Sequence, residues 1–549
     1  MLRRVARLVA KSDLLYNCDA ETQTVEERFF EMMANRDFLP NSPTLMNAGL
    51  RAGQLAACFV LPVEDSISGI FDTQRIMALV QQSGGGTGFS FSRLRPKNDI
   101  VESTMGTSSG PVSFMELFDK ATDIMKRGGR RRGANMGILS VHHPDIIEFI
   151  RAKESPNKLT NFNISVAVTD AFMLAIDKDR KYSLRSPRTG KVVSRVRAND
   201  VFDLIAKMAW KTGEPGLVFM DEIHKNNPTP KIGQIESTNP CGEQPLLPYE
   251  SCNLGSINLS HMLDGRKVDW IKLKNIVNQG VHFLDNVIDA NAYPDERIEK
   301  ITKANRKIGL GVMGFADMLV QMNIPYNSER ALEVAEEIMG FIRKEGRLKS
   351  IELAEKRGSF PNFRASIWRE RGYRALRNAA VTTIAPTGSI SIIAGCSSGI
   401  EPLFAVCFVR NVLNGTLMWE VNPFFEKVAK KRGFYSTNLI RKIGKTGSVS
   451  CFSEVPEDVK KVFVTAHDIA PEWHVRIQAA FQKHTDNAVS KTVNLPTKAT
   501  VEDIKAIFRL AYLLKCKGIT VYRDGSREGQ VLSFGSDYSG GCPDKACPT

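Results

Sequence analysis

The sequence predicts an α/β protein built on a mainly parallel sheet, open or closed. Three observations carry this. Short apolar and β-branched runs at 56–62 (AACFVLP), 163–168 (NISVAV) and 381–384 (VTTI) read as strands. Stretches of helical periodicity, such as 270–295 and 327–356, lie among them. Strands that alternate with helices call for crossover connections and parallel pairing. Hydrophobic residues fill 42% of the 549 positions, enough for a large core.

Residues 1–38 carry Val5, Leu8 and Val9, then Phe29, Phe30, Met32 and Met33, at helical spacing. Arg3, Arg4 and Arg7 interrupt that first helix, so it is not a secretory signal. No apolar run is long enough for a bilayer. Ten cysteines without a signal predict a cytoplasmic protein with reduced thiols. Asn41-Ser42-Pro43-Thr44 breaks the helical pattern. After the strand at 56–62, Asp65-Ser66 is placed to cap the next helix. That helix runs into Ser83-Gly84-Gly85-Gly86-Thr87-Gly88, where glycines let backbone N–H groups approach a ligand. The cluster has neither a P-loop lysine nor Rossmann spacing.

Further on, 126–133 (KRGGRRRG) interleaves arginine with glycine. Arg130, Arg131 and Arg132 suit a nucleotide phosphate, or equally a solvated or nucleic-acid-binding loop. His142-His143-Pro144-Asp145 has no cysteine or carboxylate at ligand spacing and reads as a helix start, so no metal site is expected there. The strand at 381–384 leads into 385–390 (APTGSI). A strand, a Gly/Ser/Thr turn and a helix start present N–H groups to an anion, although an ordinary βα turn has the same pattern. From Asp524 the chain turns Gly-, Ser- and Asp-rich and ends with Cys542 and Cys547, thiols that suit electron transfer or half a metal site.

The densest chemistry sits in Ser237-Thr238-Asn239-Pro240-Cys241-Gly242-Glu243. Pro240 and Gly242 flank one thiol, so the segment cannot continue a helix or a central strand. It reads as a loop tip with an amide and a carboxylate facing the same space as the sulfur. Cysteine can lose a proton or a hydrogen atom, glutamate can move a proton and asparagine can fix a hydroxyl. A turn with a merely buried cysteine is the plainer alternative. Cys252 follows soon after. The formal charge of +14 suits polyanions but does not choose among nucleic acid, membrane surface and phosphorylated small molecules.

These residues resemble the ribonucleotide reductases, most closely the adenosylcobalamin-dependent class II enzymes. The supporting stretches are 41–49 (NSPTLMNAG), 84–96 (GGGTGFSFSRLRP), 103–110 (STMGTSSG), 237–246 (STNPCGEQPL) and 465–496 (TAHDIAPEWHVRIQAAFQKHTDNAVSKTVNLP), in the family's order. The resemblance implies a ten-stranded α/β barrel of two antiparallel five-stranded halves, with a finger loop inside and a helical region before it. The expected divisions are 1–40, 41–530 and a cysteine-containing tail at 531–549. Cys241 would become the thiyl radical, with Glu243 taking the 3′-hydroxyl proton and Asn239 holding the hydroxyls. Cys58 and Cys252 would be the reducing pair that ends as a disulfide. Substrate would contact Ser42, Ala57, Gly86 and the turn Pro386, Thr387, Gly388, Ser389 and Ile390. Asp65, Ser66 and Arg95 match effector-site positions, and the loop with Arg130, Arg131 and Arg132 matches the segment that reports the effector. Adenosylcobalamin, a ribonucleotide (a diphosphate), a dNTP or ATP effector, a thioredoxin-like or glutaredoxin-like reductant and a homodimeric state are implied with it, but neither membrane nor nucleic acid.

Against the family pattern, the chain opens on the Arg3-Arg4 helix without an ATP-cone domain, and its tail is short. This predicts a short form or a fragment and puts the shuttle role of Cys542 and Cys547 in question. No Asp-x-His-x-x-Gly cobalamin motif is present. A class I large subunit is the nearest alternative. It needs two adjacent tyrosines near the C-terminus, whereas Gly518-Ile519-Thr520-Val521-Tyr522-Arg523 has one. A glycyl-radical enzyme would not need both members of the cysteine pair. A nucleic-acid-binding protein without catalysis would explain the charge but not Asn239, Cys241 and Glu243 together.

Overall fold

A computed structural model describes residues 1–102, 105–125, 133–155, 157–412 and 416–526. Helices Leu2–Ala10 and Thr22–Ala34 open the chain and bury Val5, Val9, Phe29 and Met33. Helix was expected as far as residue 38, but the chain leaves it at Asn35. Arg36 takes a left-handed conformation, and Phe38–Pro40 is a strand whose Phe38 faces Ile257.

Ten extended segments close into a barrel. In the first half, β1 (Cys58–Pro62), β2 (Gly86–Ser90), β3 (Asn135–Ser140), β4 (Phe162–Val168) and β5 (Gly216–Phe219) pair successively in parallel. The second half is also parallel. It runs from β6 (Ser251–Asn258) and β7 (Ile308–Met313) through a short segment at 382–384 to β8 (Thr492–Leu495) and β9 (Gly518–Arg523). The segment pairs in parallel with both neighbours, Leu310 beside Thr382 and Ile384 beside Val489, with Thr383 N donating to Leu310 O at 3.0 Å and Ser490 N to Ile384 O at 2.9 Å. The halves meet antiparallel at both seams, Cys58 opposite Cys252 and Leu217 opposite Ile519. The parallel pairing expected from the alternation of strands and helices holds within each half.

Helices cover the outside, as both faces of a parallel sheet require. Helices Ile67–Gln82, Pro111–Met125, Ala198–Thr212 and Val501–Leu513 form one apolar core with the first half. Trp270–Ala290, Glu329–Arg357 and Pro471–Gln482 form a second core with the N-terminal helices and β7. Ser66 caps the Ile67 helix by accepting from Gly69 N, and Ser328 caps the Glu329 helix by accepting from Ala331 N. The helix expected over 270–295 stops at Ala290. Asn291 turns to extended backbone, and its side chain accepts from Ala56 N at 3.1 Å. No helix among the described residues is long and apolar enough to cross a membrane.

The barrel interior holds a loop, which packs through Leu246 against Val60 and Leu254 of the strands. Ser237–Thr238 and Pro245–Leu246 form a two-stranded stem that enters the barrel. Glycines on the facing strands make room for it. A Cβ on Gly88 would lie 1.7 Å from Thr238 O, and one on Gly86 would lie 2.9 Å from Pro240 Cγ. On the opposite wall, a Cβ on Gly309 would lie 2.8 Å from Gln244 Nε2. The run 83–88 therefore does more than form a ligand loop, because its last three residues belong to β2.

Candidate active site

The loop tip is a tight turn. Gly242 N donates to Asn239 O at 3.1 Å, with Pro240 and Cys241 at the corners and Gly242 at φ +83°. Proline suits the first corner of such a turn and glycine its end. Two further bonds close the neck: Asn239 N to Gln244 O at 3.2 Å and Gln244 N to Asn239 Oδ1 at 3.0 Å. Glu243 O is pinned from the barrel wall by Thr383 Oγ1 and Ala488 N, each at 2.9 Å. Asn239 and Glu243 are buried, whereas Cys241 is exposed at the tip.

Cys58 and Cys252 sit directly opposite each other across the β1–β6 seam. Cross-strand Cα separations of about 4.5–5.5 Å lie within disulfide range. Asn239 Nδ2 donates to Cys58 Sγ at 3.1 Å, and Cys58 Sγ lies 3.9 Å from Glu243 Oε1. Burial pushes the Cys58 thiol well above its usual range, and the negative charge of Glu243 adds to this. Burial likewise raises Cys252, against the opposing charge of Lys307. Both are therefore held as neutral thiols, suited to giving hydrogen rather than to acting as thiolates. Beneath Cys252, Lys307 Nζ pairs with Glu250 Oε2 at 2.6 Å, both side chains buried.

Two cavities meet at the loop tip, and Cys241 lines both. The first, about 330 Å³, is walled by Ser42, Ala57, Cys58, Gly86, Asn239, Glu243 and the turn from Pro386 to Ile390. Every residue assigned to substrate from the sequence borders this one space. The turn opens the helix Gly388–Ala394, with Thr387 at φ +58° before it. Sequence reasoning missed Asn41, Ala134 and Ser256, which also line it. Asn41 Nδ2 donates to Leu55 O at 2.9 Å and Asn41 Oδ1 accepts from Leu254 N at 2.9 Å, tying β6 to the segment before β1. Its place beside Ser42-Pro43, where the helical pattern breaks, was the available signal.

The second cavity, about 440 Å³, lies between the loop and the β5–β9 seam. Ser490, Thr492, Asn494, Thr520 and Tyr522 contribute hydroxyls and an amide to its wall. The described effector candidates Asp65, Ser66 and Arg95 line neither cavity. Arg95 Nε pairs with Asp65 Oδ2 at 2.9 Å, and Ser66 is occupied as a helix cap. Arg130, Arg131, Arg132, Cys542 and Cys547 lie outside the described residues.

Comparison with known proteins decides the family. The profile of the ribonucleotide reductase barrel domain matches residues 56–522, and that of the family's all-alpha domain matches 1–53. The chain belongs to the ribonucleotide reductases. It is 58% identical over 511 residues to a vitamin B12-dependent ribonucleoside-diphosphate reductase of Thermoplasma acidophilum, a match covering 93% of this chain and 66% of that one. A reductase of the same description from Mycobacterium tuberculosis is 50% identical over 558 residues, covering 100% of this chain and 78% of that one. The chain thus spans about two thirds of the Thermoplasma reductase. The fold also matches the class Id ribonucleotide reductase alpha subunit of Actinobacillus ureae, with a TM-score of 0.78 and 23% identity, over 95% of this chain and 93% of that one.

Proposed function

We propose that this chain reduces ribonucleoside diphosphates to 2′-deoxyribonucleotides by thiyl-radical chemistry, with adenosylcobalamin as the radical source. One observation carries the reading. Cys241 stands between two cavities, one walled by Asn239, Glu243 and Cys58 and the other by the β5–β9 seam. A thiol that takes a radical from one side and uses it on the other needs that position.

The second cavity, whose wall also carries Glu214, Lys491 and Lys517, offers hydroxyls, an amide and backbone groups that would hold the adenosyl group beside Cys241. When bound beside Cys241, adenosylcobalamin would supply the radical chemistry of its cobalt–carbon bond. Cys241 gives up its hydrogen and then takes the 3′ hydrogen of the ribose in the first cavity. Glu243 accepts the 3′-hydroxyl proton, and Asn239 orients the hydroxyls. The 2′-hydroxyl leaves as water. Cys58 and Cys252 provide two electrons and two hydrogens and join as a disulfide, and Cys241 returns the 3′ hydrogen. Backbone N–H groups of the turn at 386–390 receive the phosphates, since the first N–H groups of a helix lack intrahelical partners.

Tyr522 borders the second cavity and is followed by Arg523, so a two-tyrosine relay from a separate subunit lacks its second member. A dNTP or ATP effector at Asp65, Ser66, Arg95 and the arginine-rich loop, a homodimer, and a thioredoxin-like or glutaredoxin-like reductant served by Cys542 and Cys547 complete the reading. So does a cytoplasmic location. The deciding measurement is anaerobic turnover of a ribonucleoside diphosphate with and without adenosylcobalamin. Deoxynucleotide formed only with the cofactor is expected. Activity that instead required a second, metal-bearing subunit would overturn the assignment.

A further inference from the structure

At the opposite end of the second half-barrel lies a cavity of about 500 Å³ that the reaction does not use. The segment at 382–384 separates it from the substrate cavity. Ala379 and Ala380, which precede the segment, line the distal space, whereas Pro386 to Ile390, which follow it, line the substrate space. Seven lining side chains are basic and three acidic, a formal excess of 7 − 3 = +4.

Three of those cations are matched by carboxylates. Arg347 holds Asp486 at 2.7 Å, Lys483 holds Glu336 at 2.6 Å and Arg476 holds Glu329 at 2.6 Å. The third acid, Glu222, is paired outside the cavity with Lys225 at 3.7 Å. Arg343, Arg371, Lys515 and Lys517 have no carboxylate within ion-pair distance among the described residues. Arg343 donates to the backbone of Lys483 at 3.3 Å, and Arg371 and Lys515 rest on the rings of Trp368 and Tyr512.

Lys517, which also borders the second cavity, is the telling member. It is 4% exposed, and its Nζ donates to Asp486 O and Asn487 O, each at 2.6 Å. Burying an amine without a carboxylate is costly, and burial brings its pKa down to about 8. Lys483 and Lys515 lie just past the ends of the helices Pro471–Gln482 and Val501–Leu513 and offset those helices' negative ends. That role does not extend to Arg343 or Arg371, or to the buried Lys517.

We propose that this distal cavity binds a small polyvalent oxyanion, a di- or triphosphate group either free or carried by a nucleotide. Guanidinium groups grip such oxygens by charge-assisted, bidentate hydrogen bonds, and an anion would supply the counter-charge that Lys517 lacks. A space of this size suits a small anion rather than a peptide.

The test is calorimetric titration of the nucleotide-free full chain with inorganic tripolyphosphate, read as the binding lost in a variant of the distal cavity alone. Saturable binding is expected in the wild type, weakened about tenfold or more in the Arg343→Ala/Arg371→Ala double variant. Both side chains reach solvent, so the fold should survive, and the pair removes too little of the total charge to alter non-specific attraction. ATP that binds this site more tightly than tripolyphosphate would identify a nucleotide as the carrier, and equal affinity would identify the free anion. Absence of saturable binding, or equal affinity in the double variant, would overturn the proposal.

Discussion

The three cysteines of the candidate site differ in surroundings more than in type. Cys241 is exposed at a turn, whereas Cys58 and Cys252 are buried and held neutral. Iodoacetamide at pH 8 should therefore label Cys58 and Cys252 far more slowly than Cys241, as peptide mapping would show. Equal rates would mean that the pair is not shielded. Either Cys58→Ser or Cys252→Ser should end multiple turnover, since the disulfide could no longer form. Sustained deoxynucleotide production by either variant would remove that cysteine from the reaction. Glu243→Gln keeps the shape of the side chain and removes the base. Nucleotide binding should persist while kcat drops by about 10²- to 10⁴-fold, and wild-type turnover would exclude Glu243 as the base. Cys241→Ala should bind cofactor and nucleotide yet show no exchange of solvent hydrogen into the 5′-carbon of adenosylcobalamin. Exchange persisting in the folded variant would place the radical on another thiol.

The loop and the strands around it form one steric unit. At Gly88 a methyl group would strike Thr238 backbone, which cannot swing away as a side chain can, whereas a Cβ on Gly242 meets nothing within 4 Å. Gly88→Ala should therefore destabilise by about 1–3 kcal/mol or displace the stem, and Gly242→Ala should cost only the left-handed strain of about 1–2 kcal/mol. Urea melts with Cys241 alkylation rates separate the two, and a Gly88→Ala protein with wild-type stability and labelling would contradict the packing. The same unit marks how far the sequence could be read. Pro240 and Gly242 announced a loop tip at once, because their backbone limits act locally. Ser66 showed as a cap for the same reason. The facing of Cys58 and Cys252 is a matter of register between strands far apart in the chain, which periodicity cannot reveal; resemblance to the family supplied that expectation. Gly86 and Gly88 read as a ligand loop because a strand that yields space to a threaded loop has the same composition. The stretch 381–384 had the β-branched signature of an ordinary strand. In the fold, the Thr383 backbone stays paired with Leu310 while its side chain holds Glu243 O, a task that the strand signature does not reveal.

Across the whole molecule, the N-terminal helical region is joined to the barrel by buried charge. Asp285, fully buried on the Trp270–Ala290 helix, accepts from Arg306 Nε at 3.0 Å, Arg377 Nε at 3.2 Å and Arg357 Nη1 at 3.2 Å. Arg357 also pairs with Asp13, and Tyr16 donates to Asp289 at 2.7 Å, so residues from the first 16 positions enter the same cluster. Burial alone would raise the Asp285 carboxyl, but the three guanidinium charges outweigh it and hold the group far below the usual carboxylate range. A carboxylate depressed in the folded state contributes stability that is fully present above its unfolded value, about 3.9. That contribution is lost as pH falls from there toward the folded value. Replacing Asp285 with Asn keeps the shape but removes the carboxylate paired with buried Arg377, while Arg306 keeps Asp289 and Arg357 keeps Asp13; a buried pair broken in this way typically costs about 3–5 kcal/mol. Urea unfolding at pH 7 should show that loss. Between pH 5 and pH 3 the variant's stability should fall less steeply than the wild type's, because one depressed carboxyl no longer titrates. Equal stability at pH 7 together with parallel pH slopes would show that Asp285 does not anchor the cluster, and that the N-terminal helices rest on their apolar contacts through Val5, Val9, Phe29 and Met33 alone.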